Sequence, residues 1–304
     1  MAGQNVLIGV HKLFKTVRVK LSSQDRNFIR VKHRIHLKLD TVPVKQPLRR
    51  ISFAYQEGVK NDVKTMLSDG VIEKSSSEWA SPLVLVRKPS GDLRICVDYR
   101  RLNEVTSVAS YYPLPNITET LDRLAGASFF TSIEMVSGYY QMEIAEENKD
   151  KTAFISPYGL YQYCRMPYGL AGAPGTFQSV IEDMVQVLET EDITAYLDDV
   201  ICFHATFEEH LEGIRRLFQM VKKSGFKLSG KKCQFSTRSV KFLGHVIDES
   251  GVRPMAEKLD IIRNWKAPEN EEWLCQFLGF CTFWRRFMKD FAKIAVHLHN
   301  LLNN

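Results

Sequence analysis

The stretch Ala195-Tyr196-Leu197-Asp198-Asp199-Val200-Ile201 sets two adjacent carboxylates between two apolar, β-favouring runs. Ile193, Ala195 and Leu197 alternate with other residues ahead of the acids, and Val200, Ile201, Cys202 and Phe203 follow closely. This pattern reads as two strands joined by a tight Asp-Asp turn, with both carboxylates at one exposed hairpin tip. Asp is also a common turn residue, so the pair alone does not separate a turn from a site. A third acid lies upstream in Phe130-Thr131-Ser132-Ile133-Glu134-Met135, again a short apolar strand pattern. A carboxylate set into a strand is costly unless it is paired or holds a metal. Three carboxylates converging on one sheet edge suit two-metal phosphoryl transfer. Mg2+ takes oxygen ligands, and two ions about 3.5–4 Å apart clamp the attacking and leaving oxygens.

The composition sets the frame. With 304 residues, 44% of them hydrophobic, the chain suits a globular protein of two or three subdomains. No apolar run approaches the roughly 18 residues that span a membrane, so no membrane partner is expected. Met1 to Val10 lacks the pattern of a signal peptide, and Ala2 excludes myristoylation. The six cysteines (Cys96, Cys164, Cys202, Cys233, Cys275, Cys281) form no CxxC pair and show no zinc spacing. Most have apolar neighbours, and they read as reduced core residues of an intracellular, cytoplasmic or nuclear compartment. Charge is uneven: residues 1–60 carry 13 Lys/Arg against 3 Asp/Glu, while the rest carry 28 against 32. A local basic field of this kind favours a polyanion, although a solvated basic tail has the same composition.

Along the chain, residues 1–40 read as a basic extended segment or linker. His33 and His36 read as surface residues, since no Cys or acid accompanies them at a ligand spacing. Residues 55–69 predict a helix with Val59, Val63, Met66 and Leu67 on one face and Gly70 at its end. Pro82 to Val86 and Leu93 to Tyr99 predict a hairpin turning at 89–92, with Arg87, Lys88 and Arg94 near its tip. Basic side chains there suit a triphosphate, or are simply exposed. Lys151 to Tyr163 reads as a second hairpin, Thr176 to Leu188 and 207–224 as helices. Strands are expected around 226–228 and 240–244, and the chain is helical from Pro254 on. The Gly/Pro-rich stretch before Thr176 allows close backbone approach to a ligand but lacks the P-loop pattern.

These residues, taken in order, match a family. Gly70-Val71-Ile72-Glu73-Lys74-Ser75, Ala80-Ser81-Pro82-Leu83-Val84-Leu85-Val86, Arg94 to Asn103 (RICVDYRRLN) and Tyr112-Pro113-Leu114-Pro115 carry the first part. Ser137-Gly138-Tyr139, Met166-Pro167-Tyr168-Gly169-Leu170, Ala173-Pro174-Gly175-Thr176-Phe177-Gln178, Tyr196-Leu197-Asp198-Asp199, Lys232-Cys233, Phe242-Leu243-Gly244-His245 and Trp284-Arg285-Arg286-Phe287 carry the rest. From about His33 to Leu302 the chain resembles the reverse transcriptase domain of gypsy-like LTR retrotransposons, a family shared with retroviral polymerases.

The resemblance implies an α+β right hand: fingers at 41–115 and 137–168, palm at 116–136 and 169–252, a helical thumb at 253–304. The palm would be an antiparallel sheet backed by helices. It implies RNA-directed DNA synthesis with dNTPs on an RNA/DNA template–primer duplex, using two Mg2+ ions with Mn2+ as a substitute. Asp198 and Glu134 would bridge the ions, with Asp199 beside them. Arg94 and Arg87 or Lys88 would hold the triphosphate. Tyr139 would stack under the sugar and exclude a 2′-hydroxyl, and Tyr168 and Gln178 would contact nucleotide and template. Lys231 or Lys232 would protonate the leaving pyrophosphate. Phe242, Leu243 and Gly244 would position the primer end, and the thumb would grip the duplex backbone.

Glu134 departs from the pattern, since the family has Asp there. The added methylene predicts weak or absent Mg2+-dependent synthesis, partly rescued by Mn2+, because a misplacement of about 1 Å costs roughly a hundredfold. Ala171-Gly172-Ala173 and Trp284 depart less. The family's polyprotein continues into ribonuclease H and integrase, so a fragment or a gene reduced to its polymerase domain is expected. Two further functions compete with polymerase activity: a non-catalytic nucleic-acid-binding protein of the same fold, and a structural partner within a polyprotein.

Overall fold

The computed structural model describes residues 31–87, 93–107 and 112–302. The basic segment up to residue 30 and Lys88 lie outside them. The chain divides into two compact units, the first from residues up to Pro115, Ile133–Cys202 and Leu211–Cys233, the second from Asn116–Ser132, Phe203–His210 and Gln234–Asn304.

In the first unit, helix α1 (Phe53–Ser68) buries Val59 and Val63. Gly70, at φ 65°, ends the turn that follows it. Strands β1 (Ile72–Lys74), β2 (Ser81–Arg87), β3 (Leu93–Val97), β5 (Phe154–Ser156) and β6 (Gly159–Tyr163) form a five-stranded sheet in the order β1-β6-β5-β2-β3. Both expected hairpins are there: Leu83 faces Val97 and Phe154 faces Tyr161. The β2–β5 pair is parallel, which only a long intervening segment permits. Helix α2 (Arg100–Val105) buries Leu102. Helix α4 (Ala173–Gln186) begins three residues ahead of the expected start. Pro174 suits that first turn, where a missing N–H costs nothing.

His33 corrects an expectation. It is buried, at 2% exposure, and its Nδ1 lies 2.9 Å from Thr176 Oγ1, whereas His36 is exposed. The segment alternates, so His33 and Ile35 face inward together. Burial holds the His33 ring neutral and its pKa down at about 4. At 226–228 only Leu228 bridges, to Met135, in place of the expected strand. None of the six cysteines is in a disulfide; Cys202 and Cys281 are buried and Cys275 is exposed.

In the second unit, helix α3 (Ile117–Asp122) precedes strand β4 (Phe129–Glu134), of which Phe129–Ser132 belong to this unit and pair antiparallel with β9 (Gln234–Thr237) at Phe130 and Thr237. Strands β10 (Ser239–Phe242), β11 (His245–Asp248) and β12 (Gly251–Pro254) make an antiparallel sheet, two strands more than the sequence reading anticipates. Helix α5 (Phe207–Ser224) precedes β9, and helices α6 (Ala256–Arg263), α7 (Glu271–Phe283) and α8 (Phe291–Asn300) follow β12. Leu274, Leu278 and Ala295 form a small core that Phe291, Leu298 and Leu302 close. No described helix is long and apolar enough to cross a membrane.

Candidate active site

The site lies in the first unit, on a hairpin of β7 (Ile193–Tyr196) and β8 (Asp199–His204). Tyr196 pairs with Asp199, so the two-residue turn is Leu197-Asp198, one residue earlier than the Asp-Asp turn expected. Two-residue hairpin turns need a positive φ, and Leu197 supplies it at 51°. Such a conformation costs a leucine about 1–2 kcal/mol. Gln178 on α4 offsets the strain: its Oε1 accepts from Leu197 N at 2.6 Å, and its Nε2 donates to Ala195 O at 3.1 Å and Glu182 Oε1 at 2.7 Å. Gln178, expected at the nucleotide, is wholly buried. Both polar atoms of its side chain are engaged by the hairpin and by Glu182.

Glu134 arrives at the end of β4, and Met135 N donates to Asp198 O at 3.3 Å. The chain then turns at Ser137, φ 45°, into a 3-10 turn over Gly138–Gln141. A methyl group at Gly138 would sit 2.4 Å from Asp198 Oδ1 and 2.8 Å from the Phe177 ring. Only glycine fits there, a requirement that the sequence signals only as a Gly near an acid.

The electrostatics show a shortage of positive charge. The Asp198 carboxyl is pushed up to about 6 by burial, then by the Asp199 and Glu134 charges, with Lys232 pulling the other way. Asp199 is raised as well, by burial and then by Glu134. Asp198 Oδ1 is buried and has no hydrogen-bond partner among the described residues. An orphaned carboxylate oxygen beside a second acid fits a hard divalent cation. Glu134 Oε1 is ion-paired with Lys232 Nζ.

An aromatic stack adjoins the acids. Tyr139 stacks on Tyr168 with centroids 4.9 Å apart and tilts against Phe177 at 5.2 Å. The Arg94 guanidinium sits 4.5 Å from the Tyr168 ring centroid, a cation–π contact. Burial and then the Asp198 charge push both tyrosine hydroxyls up to about 12, so both stay protonated donors. Arg87 is exposed and donates to Tyr55 Oη at 2.8 Å. In the second unit, Phe242 is buried, and Leu243-Gly244 form the β10–β11 turn with φ 48° and 78°. The His245 ring Nδ1 lies 2.8 Å from Leu243 O.

A family model described as reverse transcriptase (RNA-dependent DNA polymerase) matches residues 86–247, just over half of the chain. The Pol polyprotein of transposon 297 from Drosophila melanogaster is 36% identical over 242 residues, 78% of this chain and 23% of the relative. The Tf2-3 transposon polyprotein of Schizosaccharomyces pombe is 31% identical over 246 residues, 81% of this chain and 18% of the relative. The chain thus spans about a fifth of the length of these curated relatives. Foamy viral protease-reverse transcriptase in complex with dsDNA superposes with a TM-score of 0.81 at 24% identity, over 97% of this chain and 62% of that one. The same viral protein with an RNA/DNA hybrid gives 0.76 at 22% identity, over 97% and 43%. These likenesses establish the α+β polymerase fold.

Proposed function

Because the chain belongs to the reverse transcriptase (RNA-dependent DNA polymerase) family, we propose that it performs metal-dependent nucleotidyl transfer from dNTPs to a primer 3′ end on an RNA template. The observation that carries this reading is the buried, unpartnered Asp198 Oδ1 beside Asp199, both carboxyls raised. Asp198 and Asp199 are the residues that would hold Mg2+, or Mn2+ in its place. The bound ion would supply positive charge at the phosphoryl group being transferred.

The chain's own residues do the rest. Arg94 binds the triphosphate together with Arg87 or Lys88, the latter outside the described residues. Tyr168 and Tyr139 offer ring faces and protonated hydroxyls to the sugar, Tyr139 as the barrier to a 2′-hydroxyl. Phe242, Leu243 and Gly244 position the primer. The primer 3′-hydroxyl attacks the α-phosphorus and gives up its proton to solvent, the bond from the α-phosphorus to the bridging oxygen breaks, and pyrophosphate leaves with the proton that Lys232 carries. Gln178 positions the hairpin. We assign fingers to 41–115 and 137–168, palm to 116–136 and 169–252, and thumb to 253–304. Ribonuclease H and integrase would be partners within a parent polyprotein.

The engagement of Glu134 by Lys232 supports a second reading, a duplex-binding protein that does not synthesise. Primer extension on an RNA template separates the two. The Glu134→Asp variant is expected to extend roughly a hundredfold faster in Mg2+ than the natural chain, with Mn2+ narrowing the gap. If neither extends while both bind duplex in a salt-sensitive way, the second reading holds.

A further inference from the structure

We propose that Lys232 is a positioning residue that holds Glu134 in an internal ion pair and so removes the third carboxylate from the metal set, leaving Asp198 and Asp199 as this chain's cation ligands. The inference rests on the reading of the cluster as a metal site and specifies which acids belong to it.

The pair is built into the backbone. Ser229 N donates to Glu134 O at 2.8 Å, so the turn carrying Lys232 hangs from Glu134 itself. Within that turn Lys232 N and Cys233 N donate to Ser229 O at 3.0 and 3.2 Å, and Cys233 Sγ lies 3.2 Å from the same oxygen. One step along, Met135 bridges Leu228, and Val136 N donates to Lys227 O at 2.9 Å. Gln141 clamps Lys227 from both sides: its Oε1 accepts from Lys227 N at 2.7 Å and its Nε2 donates to Lys227 O at 3.0 Å. Two antiparallel segments thus deliver the ammonium to the carboxylate.

Two effects then act with the same sign. Pairing offsets the Glu134 charge at Oε1, and the ammonium repels a second cation at that oxygen. Asp198 differs, because its Oδ1 has no hydrogen-bond partner among the described residues, Lys232 acts on it through charge alone, and Gly138 leaves it room. The extra methylene of Glu134 carries its oxygens outward, and the Lys232 side chain that meets them is 61% exposed against 29% for Glu134. Substitution of Lys232 therefore leaves the core untouched.

The test is Mn2+ binding by the full chain without nucleotide, read from the electron paramagnetic resonance signal of free Mn2+. The variants are Lys232→Met, Lys232→Gln, Glu134→Gln, Glu134→Gln/Lys232→Met and Asp198→Asn, each with a thermal melt. Removing the Lys232 charge should tighten Mn2+ binding about tenfold or more with Glu134 present, and less than about threefold in the Glu134→Gln background, a coupling that a purely structural role does not produce. Asp198→Asn should abolish binding. An equal effect of Lys232 in both backgrounds, or a loss of about tenfold on Glu134→Gln alone, overturns the inference while the metal-site reading stands. Mn2+ binding unaffected by Asp198→Asn, or absent throughout, overturns both.

Discussion

Two hairpins in this protein turn on a leucine with positive φ, and they are held in different ways. In the first unit, Leu197 at 51° opens the turn that presents Asp198, and a buried amide from a neighbouring helix supports it. In the second unit, Leu243 at 48° is followed by Gly244, and the turn closes on itself through His245. The Leu197 turn carries an acid whose Oδ1 has no partner among the described residues, so its strain is offset from outside. The other carries no charge at its tip, and a residue of its own strand suffices. Strain kept at a chemically loaded position needs a rigid neighbour, and Gln178 is that neighbour.

The largest break in this comparison is expected from Gln178→Ala. It strands the polar backbone groups of Leu197 and Ala195, which should cost about 2–4 kcal/mol in urea unfolding. Loosening Asp198 should also lower nucleotide incorporation roughly a hundredfold.

Charge at the Asp198 tip predicts a smaller effect. Its carboxyl takes a proton at about 6 in the folded chain, against an ordinary 3.8. Between those values the folded state binds more protons than the unfolded one, so metal-free stability falls as pH rises through this window and the full penalty stands above it. Asp198→Asn should therefore raise metal-free stability at pH 8 by about 1 kcal/mol after screening, and leave it unchanged at pH 3. Mn2+ should reverse the order at pH 8 by stabilising only the natural chain.

The smallest effects come from relaxing the two leucines. Leu197→Gly and Leu243→Gly should each change stability by less than about 1 kcal/mol, relief of strain opposing the entropy of the unfolded glycine. Kinetics should separate them: the first lowers kcat, the second raises the KM for primer.

Much of the site is legible in the sequence because period-two apolar patterns mark strands whatever their partners. The Asp198-Asp199 hairpin, the Glu134 strand and the helix over Phe207–Ser224 all come from local periodicity. What escapes depends on contacts distant in the chain. The support that Gln178 gives the hairpin follows from its burial against Leu197 and Ala195, and His33 looks exposed until Thr176, 143 residues away, meets its ring. The turn at Leu197 is misplaced by one residue because Asp is the commoner turn residue, while the register follows the strand pairing. Strands β11 and β12 are too short for alternation to register, at four residues each. Glu134 is legible as an acid in a strand, but its ion pair with Lys232 follows from a backbone bond to Ser229 that no spacing reveals.

Anomalous diffraction from crystals of the chain soaked in Mn2+ would locate the cation itself. A peak is expected at the Asp198 and Asp199 carboxylates, with Glu134 still on Lys232. A peak elsewhere with Asp198 Oδ1 left unliganded, or no peak at all, would contradict that assignment.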